Sequence, residues 1–341
     1  MSGASYEQAN AVTRTQTGVV IPLFISDTMD PALAVGVIRD NVYAFCDVVT
    51  DAAHVCLSVD GNARGEEAAH QLSAEFGVQV ICQSENRGKL SAATAGMRHL
   101  LQDDELRYLA VVDQDGDHFA NELVTFTRTC RHVEHASGDD RVMVLGRRVS
   151  RHHPMGFGRG ELEELADRVL LDALHYHASI SGHPLRLEYA TVQDEFPDFH
   201  SGFKLFTRAT ADAVFSGTEH KAGLDDDCYY RHAVEAVMTV ESILSGAQFV
   251  QQSRTTINEQ PISVFGSLDR AQLTADMILW PCMRLDVPAN FVDQWLRNHI
   301  PRLLLHTLVP DGREMMQAIH RLVMHGYGAT DLAALQAPPF V

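Results

Sequence analysis

Short apolar runs alternate with segments of helical spacing over the first part of the chain. Four runs rich in β-branched residues, at 19–25, 54–59, 78–82 and 108–112, have the length and composition of buried strands. The segments between them, such as 32–48, repeat apolar residues every three or four positions. This alternation predicts an α/β fold with a mostly parallel, Rossmann-like central sheet flanked by helices.

The alternation loosens in the second part of the chain. The elements predicted there are strands at 141–146, 203–206 and 236–240, a strand or extended loop at 185–192, and helices at 160–179, 225–234, 268–283, 289–306 and 312–325. Periodicity is lost over 255–266, which favours a boundary there. We therefore predict a flexible N-terminus at 1–15, one α/β domain at 16–258 and a helical C-terminal region at 259–341.

Composition narrows the class of partner. The chain has 341 residues, 45% hydrophobic and 21% charged, with a formal net charge of −18. An acidic surface repels phosphate backbones, so nucleic acid is not an expected partner. The sequence contains no apolar run of about 18 residues and no signal peptide pattern, so no membrane span is expected. Six scattered cysteines without a CxxC pair favour a reducing compartment, and we predict a cytoplasmic protein.

Polar residues follow three of the predicted strands directly. Asp60 ends the second strand, the loop 83–89 follows the third, and Asp113 ends the fourth. Ligands of parallel α/β sheets bind beyond the carboxyl ends of the strands. These segments are therefore expected to converge on one binding site.

The segment Asp113-Gln114-Asp115 carries the strongest chemical signal. Two carboxylates, two residues apart at a strand end, suit a hard cation such as Mg²⁺ or Mn²⁺ that also binds a diphosphate. An EF-hand loop is excluded, because its sixth and twelfth positions would be His118 and Val124 rather than Gly and Glu. The same sequence motif also occurs in solvated acidic turns and in phosphatases of the haloacid-dehalogenase type. Both stay as alternatives.

Four motifs in order resemble the glycosyltransferases of the GT-A fold, closest to the large family-2 type. They are Val19-Val20-Ile21-Pro22-Leu23, Val59-Asp60-Gly61, Glu85-Asn86-Arg87-Gly88 and Asp113-Gln114-Asp115. Departures are the single acid at Asp60 and Thr94-Ala95-Gly96 in place of the usual Ala-Arg-Asn.

The resemblance implies a nucleotide-sugar donor site. Its residues would be Pro22 and Leu23 beside the base, Asp60 at the base or ribose, Asn86, Arg87, Lys89 and Gln114 near the nucleotide or its phosphates, Asp113 at ribose or metal, and Asp115 at the metal. The third protein ligand of the metal is not identified by any motif.

Two later segments resemble the acceptor side of the same family. His200-Ser201-Gly202 precedes a short strand and would border the acceptor or the donor sugar. Asp225 and Asp226 resemble the acidic motif that supplies the base of inverting members, and the sequence does not choose between them. Gly223-Leu224-Asp225 also resembles retaining enzymes of the mannosylglycerate-synthase type, which carry a helical C-terminal extension, so the stereochemistry stays open. A favourable charge at a helix start is the plain alternative for these acids.

These observations predict a metal-dependent glycosyltransferase that moves a sugar from a UDP- or GDP-sugar to a hydroxyl of a small acceptor. The alternatives are the phosphatase and a noncatalytic nucleotide-sugar binding protein.

Trp280 and Trp295 lie among apolar residues at helical spacing. The C-terminal helices are therefore expected to form core or the interface of a homodimer.

Overall fold

The first part of the chain alternates helices and strands as predicted. The computed structural model describes residues 5–152, 156–190, 195–256, 262 and 269–335. Its first elements are α1 (Tyr6–Gln16), β1 (Thr17–Leu23), α2 (Pro31–Val48), β2 (Val55–Val59), α3 (Ala63–Phe76), β3 (Gln79–Cys82), α4 (Lys89–Leu100) and β4 (Tyr108–Val111). The four strands pair in parallel, which confirms the predicted βα units.

The second part extends the same sheet. Its elements are α5 (Leu123–Ser137), β5 (Val142–Arg148), α6 (Phe157–Ser181), β6 (Lys204–Thr207), α7 (Arg208–Phe215), α8 (Val234–Leu244) and β7 (Gln248–Arg254). The described strands form one seven-stranded sheet in the order β3-β2-β1-β4-β6-β5-β7.

Strand β6 runs antiparallel to both of its neighbours, β4 and β5, whereas β5 and β7 run parallel. The register places Val111, at the end of β4, opposite Lys204, at the start of β6. The loop before β6 therefore lies at the same edge as the loops that follow β1, β2 and β4. This single reversed strand brings residues 200–202 to the edge where ligands of such sheets bind.

The core lies in two apolar layers, one on each face of the sheet. Successive residues of a strand point to opposite faces. Val19 and Ile21 belong to the layer covered by α2, α3 and α5, whereas Val20 belongs to the layer covered by α4, α6 and α8. Because both faces are buried, the strands read as continuous apolar runs.

Two segments differ from their predicted type. Residues 236–240, predicted as a strand, lie in helix α8. A short apolar run does not distinguish a buried strand from a buried helix, and most side chains of α8 are buried. Strand β7 was not predicted, because the half-buried polar residues at 251–253 break the apolar pattern. The segment 185–190 is a loop that contributes one isolated bridge, from Tyr189 to Val250.

The prediction of a flexible N-terminus at 1–15 is wrong for most of that segment. Helix α1 occupies Tyr6–Gln16 and begins with a capping box at Ser5. It packs against α5 and buries Ala9 and Thr13. The sparse apolar residues of this segment are thus enough to hold a helix, because they fall on one face.

The C-terminal region is helical, as predicted. It contains α9 (Arg270–Arg284), α10 (Ala289–His299), α11 (Leu305–Leu308) and α12 (Gly312–Gly326), with α9 packed on α6 and α12. The helix predicted at 289–306 ends at His299, because Pro301 cannot continue it. The predicted boundary between 258 and 259 lies outside the described residues. Within the described ranges, the helices are too short or too polar to span a bilayer.

Candidate active site

A cavity of about 350 Å³ opens at the carboxyl ends of β1, β2 and β4. Of the residues predicted for the site, those that line it are Pro22, Leu23, Asp60, Asn86, Lys89, Asp113, Gln114, Asp115, His200 and Gly202. The predicted residues that do not line it are Arg87, Ser201, Asp225 and Asp226. Its volume lies in the range of small-molecule sites.

Asp113 is held by its main chain and by an ion pair. Its N–H donates to Nδ1 of His118 and its carbonyl accepts from Nδ2 of Asn41, both at 2.9 Å. The ammonium of Lys89 lies 2.5 Å from Oδ1 of Asp113. Burial alone would raise the pKa of Asp113, but the charge of Lys89 lowers it well below its usual value. Asp113 is therefore ionised at neutral pH.

The pKa of Asp115 is shifted in the opposite direction to that of Asp113. Its burial and the charge of Asp113 raise its pKa to about 6. One of its carboxylate oxygens accepts the N–H of Asp117 at 3.2 Å. Between the two acids, the Gln114 side chain accepts the N–H of Phe24 and donates to its carbonyl, each at 2.8 Å. Gln114 thus joins the ends of β1 and β4 and fixes the turn that presents both carboxylates.

His118 supports this turn as a neutral imidazole. Its ring stacks on Phe203 with centroids 4.9 Å apart, and burial lowers its pKa well below the ordinary value. Because Nδ1 accepts the Asp113 N–H, the ring proton belongs on Nε2, which lies 3.6 Å from Oδ2 of Asp113. No sequence motif marks this role, and its only sequence signal is the position five residues after Asp113.

Gly202 contacts the Asp113 carboxylate directly. A Cβ atom at this position would lie 2.4 Å from Oδ2 of Asp113. Only the absence of a side chain allows this approach. The predicted place of Gly202 in the site is thus explained by a steric requirement beside the acidic pair.

The two residues before Gly202 have different surroundings. Ser201 donates its hydroxyl to the carbonyl of Gly146, in β5, and is fully buried. It therefore holds the loop and does not face the cavity. His200 lines the cavity, and its Nδ1 lies 2.7 Å from a carboxylate oxygen of Asp167, in α6.

Asp60 organises the loop before α4. Its carboxylate accepts the main-chain N–H groups of Arg87 at 2.8 Å and Gly88 at 2.9 Å. Gly88 has a φ of +120°, and a Cβ there would lie 2.4 Å from the carbonyl oxygen of Tyr230. The buried Oδ1 of Asn86 has no hydrogen-bond partner among the described residues. Asn86 therefore offers a free acceptor on the cavity wall.

The predicted base residues lie elsewhere. Asp225 caps the following helical turn by accepting the N–H of Cys228 at 2.8 Å. The side chain of Asp226 is 56% exposed and pairs with Lys221 and Arg87. Neither carboxylate lines the cavity. Arg87 likewise points away from the cavity and toward Asp226.

Lys89 links the acidic pair to a residue that no motif marks. Its ammonium lies 2.7 Å from the carboxylate of Glu235, at the start of α8, as well as beside Asp113. Burial would lower the pKa of Lys89, but the two carboxylates raise it above its ordinary value. Lys89 is therefore a fixed positive charge on the wall of the cavity.

A second buried charge network forms the far wall. Arg148 pairs with Asp198 and with Glu163 of α6, and Arg254 pairs with Asp117 at 3.1 Å. Sequence reasoning missed these residues because they come from distant elements without a local motif. The lining residues missed in this way include Asp117, Arg148, Arg159, Glu163, Arg231, His232, Glu235 and Arg254.

Solved structures match this arrangement of strands and helices. No family model matches the chain, and a search of curated proteins finds no match. Mannosyl-3-phosphoglycerate synthase from Rubrobacter xylanophilus has a TM-score of 0.50 and 13% identity, covering 84% of this chain and 79% of that one. The likeness confirms the predicted GT-A fold.

Two further structures are similar at lower scores. Glucosyl-3-phosphoglycerate synthase from Mycobacterium tuberculosis, in complex with Mg²⁺ and uridine diphosphate, has a TM-score of 0.49 at 14% identity and covers 84% of this chain and 86% of that one. The S. aureus protein TarS, residues 1–349, has a TM-score of 0.42 at 12% identity, with 92% and 89% covered.

Proposed function

We propose that the protein is a metal-dependent glycosyltransferase that moves a sugar from a UDP- or GDP-sugar to a hydroxyl of a small acceptor. One observation carries the proposal. Asp113 and Asp115 lie together on the wall of a cavity at the end of β4, in a chain with the GT-A fold. Ligands of open α/β sheets bind at this edge.

The donor set fits Mg²⁺ or Mn²⁺. Both cations prefer carboxylate oxygens and fill their remaining positions with phosphate oxygens and water. Burial and the charge of Asp113 raise the pKa of Asp115, which forms no ion pair among the described residues, whereas Asp113 pairs with Lys89. Asp115 would thus be the firmer ligand, and Asp113 would contact the metal or the ribose.

The other lining residues fit a nucleoside diphosphate. The free Oδ1 of Asn86 suits an N–H of the base, and Pro22 and Leu23 supply an apolar wall beside it. Asp60 holds the loop that carries Asn86. The ammonium of Lys89 suits the diphosphate. When bound, the cation would neutralise the charge that develops on the leaving diphosphate.

The acceptor side of the cavity includes His200 and Gly202. Gly202 lies beside Asp113 and His200 lines the same cavity, where the acceptor and the transferred sugar would meet. The net charge of −18 favours a neutral or cationic acceptor over a polyanion. Phe291 on α10 is 42% exposed. We keep a homodimer through the C-terminal helices, and a cytoplasmic location, as parts of the proposal.

The proposal is tested by calorimetric titration of UDP and GDP with and without Mn²⁺ or Mg²⁺, followed by hydrolysis of a panel of nucleotide sugars. We expect binding of one nucleotide only with the metal, and its loss in Asp115→Asn. Asp40→Asn, an exposed acid on α2, is the matched control. Turnover of a phosphate ester without nucleotide binding would indicate the phosphatase. Metal-dependent binding without turnover of any donor would indicate a noncatalytic binder.

A further inference from the structure

The ring of His200 is oriented by a buried carboxylate. The side chain of His200 is 2% exposed, and its Nδ1 lies 2.7 Å from Oδ1 of Asp167. The main-chain N–H of His200 donates to the same oxygen at 3.2 Å. Nε of Arg151 lies 3.1 Å from the other oxygen. Because the main-chain N–H donates to Oδ1 and Arg151 forms an ion pair with this carboxylate, the carboxylate acts as an acceptor, and Nδ1 of His200 carries its proton.

The other ring nitrogen is then an acceptor without a partner, in a residue that lines the cavity. Nε2 of His200 is buried and has no hydrogen-bond partner in the part of the chain that the structure describes. His200 lines the cavity whereas Asp167, the partner of its Nδ1, does not. A buried acceptor without a donor destabilises the free protein. This atom is therefore arranged for a ligand that brings a donor.

A hydroxyl suits this position better than an anion does. The lone pair of a neutral imidazole repels phosphate and carboxylate oxygens but accepts an O–H. Gly202, two residues further on, contacts the carboxylate of Asp113, and His200 lines the same cavity as the acidic pair. Two other acids that line the cavity are already paired, Glu163 with Arg148 and Glu235 with Lys89.

We propose that His200 is a catalytic residue that takes the proton of the attacking acceptor hydroxyl; this inference rests on the proposed function. The bond between C1 of the sugar and the diphosphate oxygen breaks, and its electron pair leaves with the nucleoside diphosphate. The acceptor oxygen forms the new bond to C1, and its proton moves to Nε2 of His200. Asp167 is a positioning residue that keeps the proton on Nδ1 and stabilises the imidazolium.

The cavity wall carries a second histidine that competes with His200 for the role of base. Asp167 pairs with both His200 and Arg151, and the ammonium of Lys204 donates to the carbonyls of Phe199 and Ser201, the two neighbours of His200 in the chain. His232 also lines the cavity, with Nδ1 2.6 Å from Asp276. The contact of Gly202 with Asp113 favours His200 over His232.

The test uses the full chain and the nucleotide sugar that gives the fastest metal-dependent hydrolysis, with water and then glycerol as hydroxyl probes. We expect His200→Gln to lower kcat by about 10²–10⁴-fold. The Kd for the metal–nucleotide complex should stay within about twofold, because glutamine keeps a polar group of similar size without the basicity. Asp167→Asn should lower kcat with the same unchanged Kd. His320→Gln removes a buried histidine paired with Asp293 outside the cavity and should leave kcat unchanged.

A second measurement does not depend on turnover. The ¹⁵N ring shifts of His200 in the metal-free protein should report a proton on Nδ1 and a bare Nε2 at neutral pH. A proton on Nε2 would overturn the inference, as would unchanged kcat in His200→Gln. A rise in KM alone, a loss of metal binding in that variant, or loss of kcat in His232→Gln alone would also overturn it. Failure of the wild-type chain to bind or turn over any nucleotide sugar would instead refute the proposed function.

Discussion

Substitution of Gly202 by alanine tests the geometry beside the acidic pair most directly. The new Cβ would lie 2.4 Å from Oδ2 of Asp113 and 3.0 Å from its Cγ, where 3.4 Å is an ordinary contact. The carboxylate must therefore move by about 1 Å, because tightly packed interiors leave it no free space. Overpacking of this kind costs about 1–3 kcal/mol of stability.

The larger effect of Gly202→Ala should fall on activity. Displacement of a positioned group by about 1 Å can lower the rate about 10²-fold. It would also separate Asp113 from the ammonium of Lys89. We expect weaker metal-dependent nucleotide binding in calorimetry and a loss of donor hydrolysis of this order.

The matched control is Gly36→Ala, on the exposed face of α2, where an added Cβ meets no atom within 4 Å. It should keep full activity and gain up to about 1 kcal/mol in urea unfolding, since alanine favours helices. Wild-type nucleotide affinity and hydrolysis in Gly202→Ala would refute the placement of Gly202 against Asp113.

Three further changes test other parts of the structure. Because the pKa of Asp115 is raised to about 6, Mn²⁺ affinity should fall about tenfold per pH unit below that value. The stability of the metal-free protein should change in the opposite sense and decrease as pH rises from the ordinary carboxyl pKa toward 6. Arg148→Met should destabilise the protein by about 3–5 kcal/mol in urea unfolding, because it removes the buried cation that Asp198 and Glu163 share. Asp225→Ala should cost about 1 kcal/mol through the lost cap and leave kcat unchanged.

The metal titration and the two substitutions can each give a result that contradicts the expectation. A Mn²⁺ affinity that is flat between pH 5 and 7, roughly the range around the Asp115 pKa, would show that this carboxylate is not a ligand. Unchanged stability in Arg148→Met would mean that the carboxylates find other partners, and Lys221→Met, at the surface, is the matched control. A collapse of kcat in Asp225→Ala with normal stability would restore the predicted base.

The strand–helix alternation and the donor edge could be predicted from the sequence. Apolar runs of strand length, spaced by helical segments, imply a parallel sheet, and the polarity of that sheet places Asp60, Asn86 and Asp113 at one edge. The secondary structure of residues 236–240 could not be predicted, because a uniformly buried helix and a buried strand have the same apolar pattern.

The sequence by itself thus determined the fold class and the acidic pair at the end of β4, because these depend on residues near one another in the chain. The tertiary structure decided which other residues meet that pair. The antiparallel β6 carries Gly202 to Asp113, packing of α8 brings Glu235 to Lys89, and α6 orients His200 through Asp167. A helix cap holds Asp225 outside the cavity. Such contacts join residues far apart in sequence, and no local pattern encodes them.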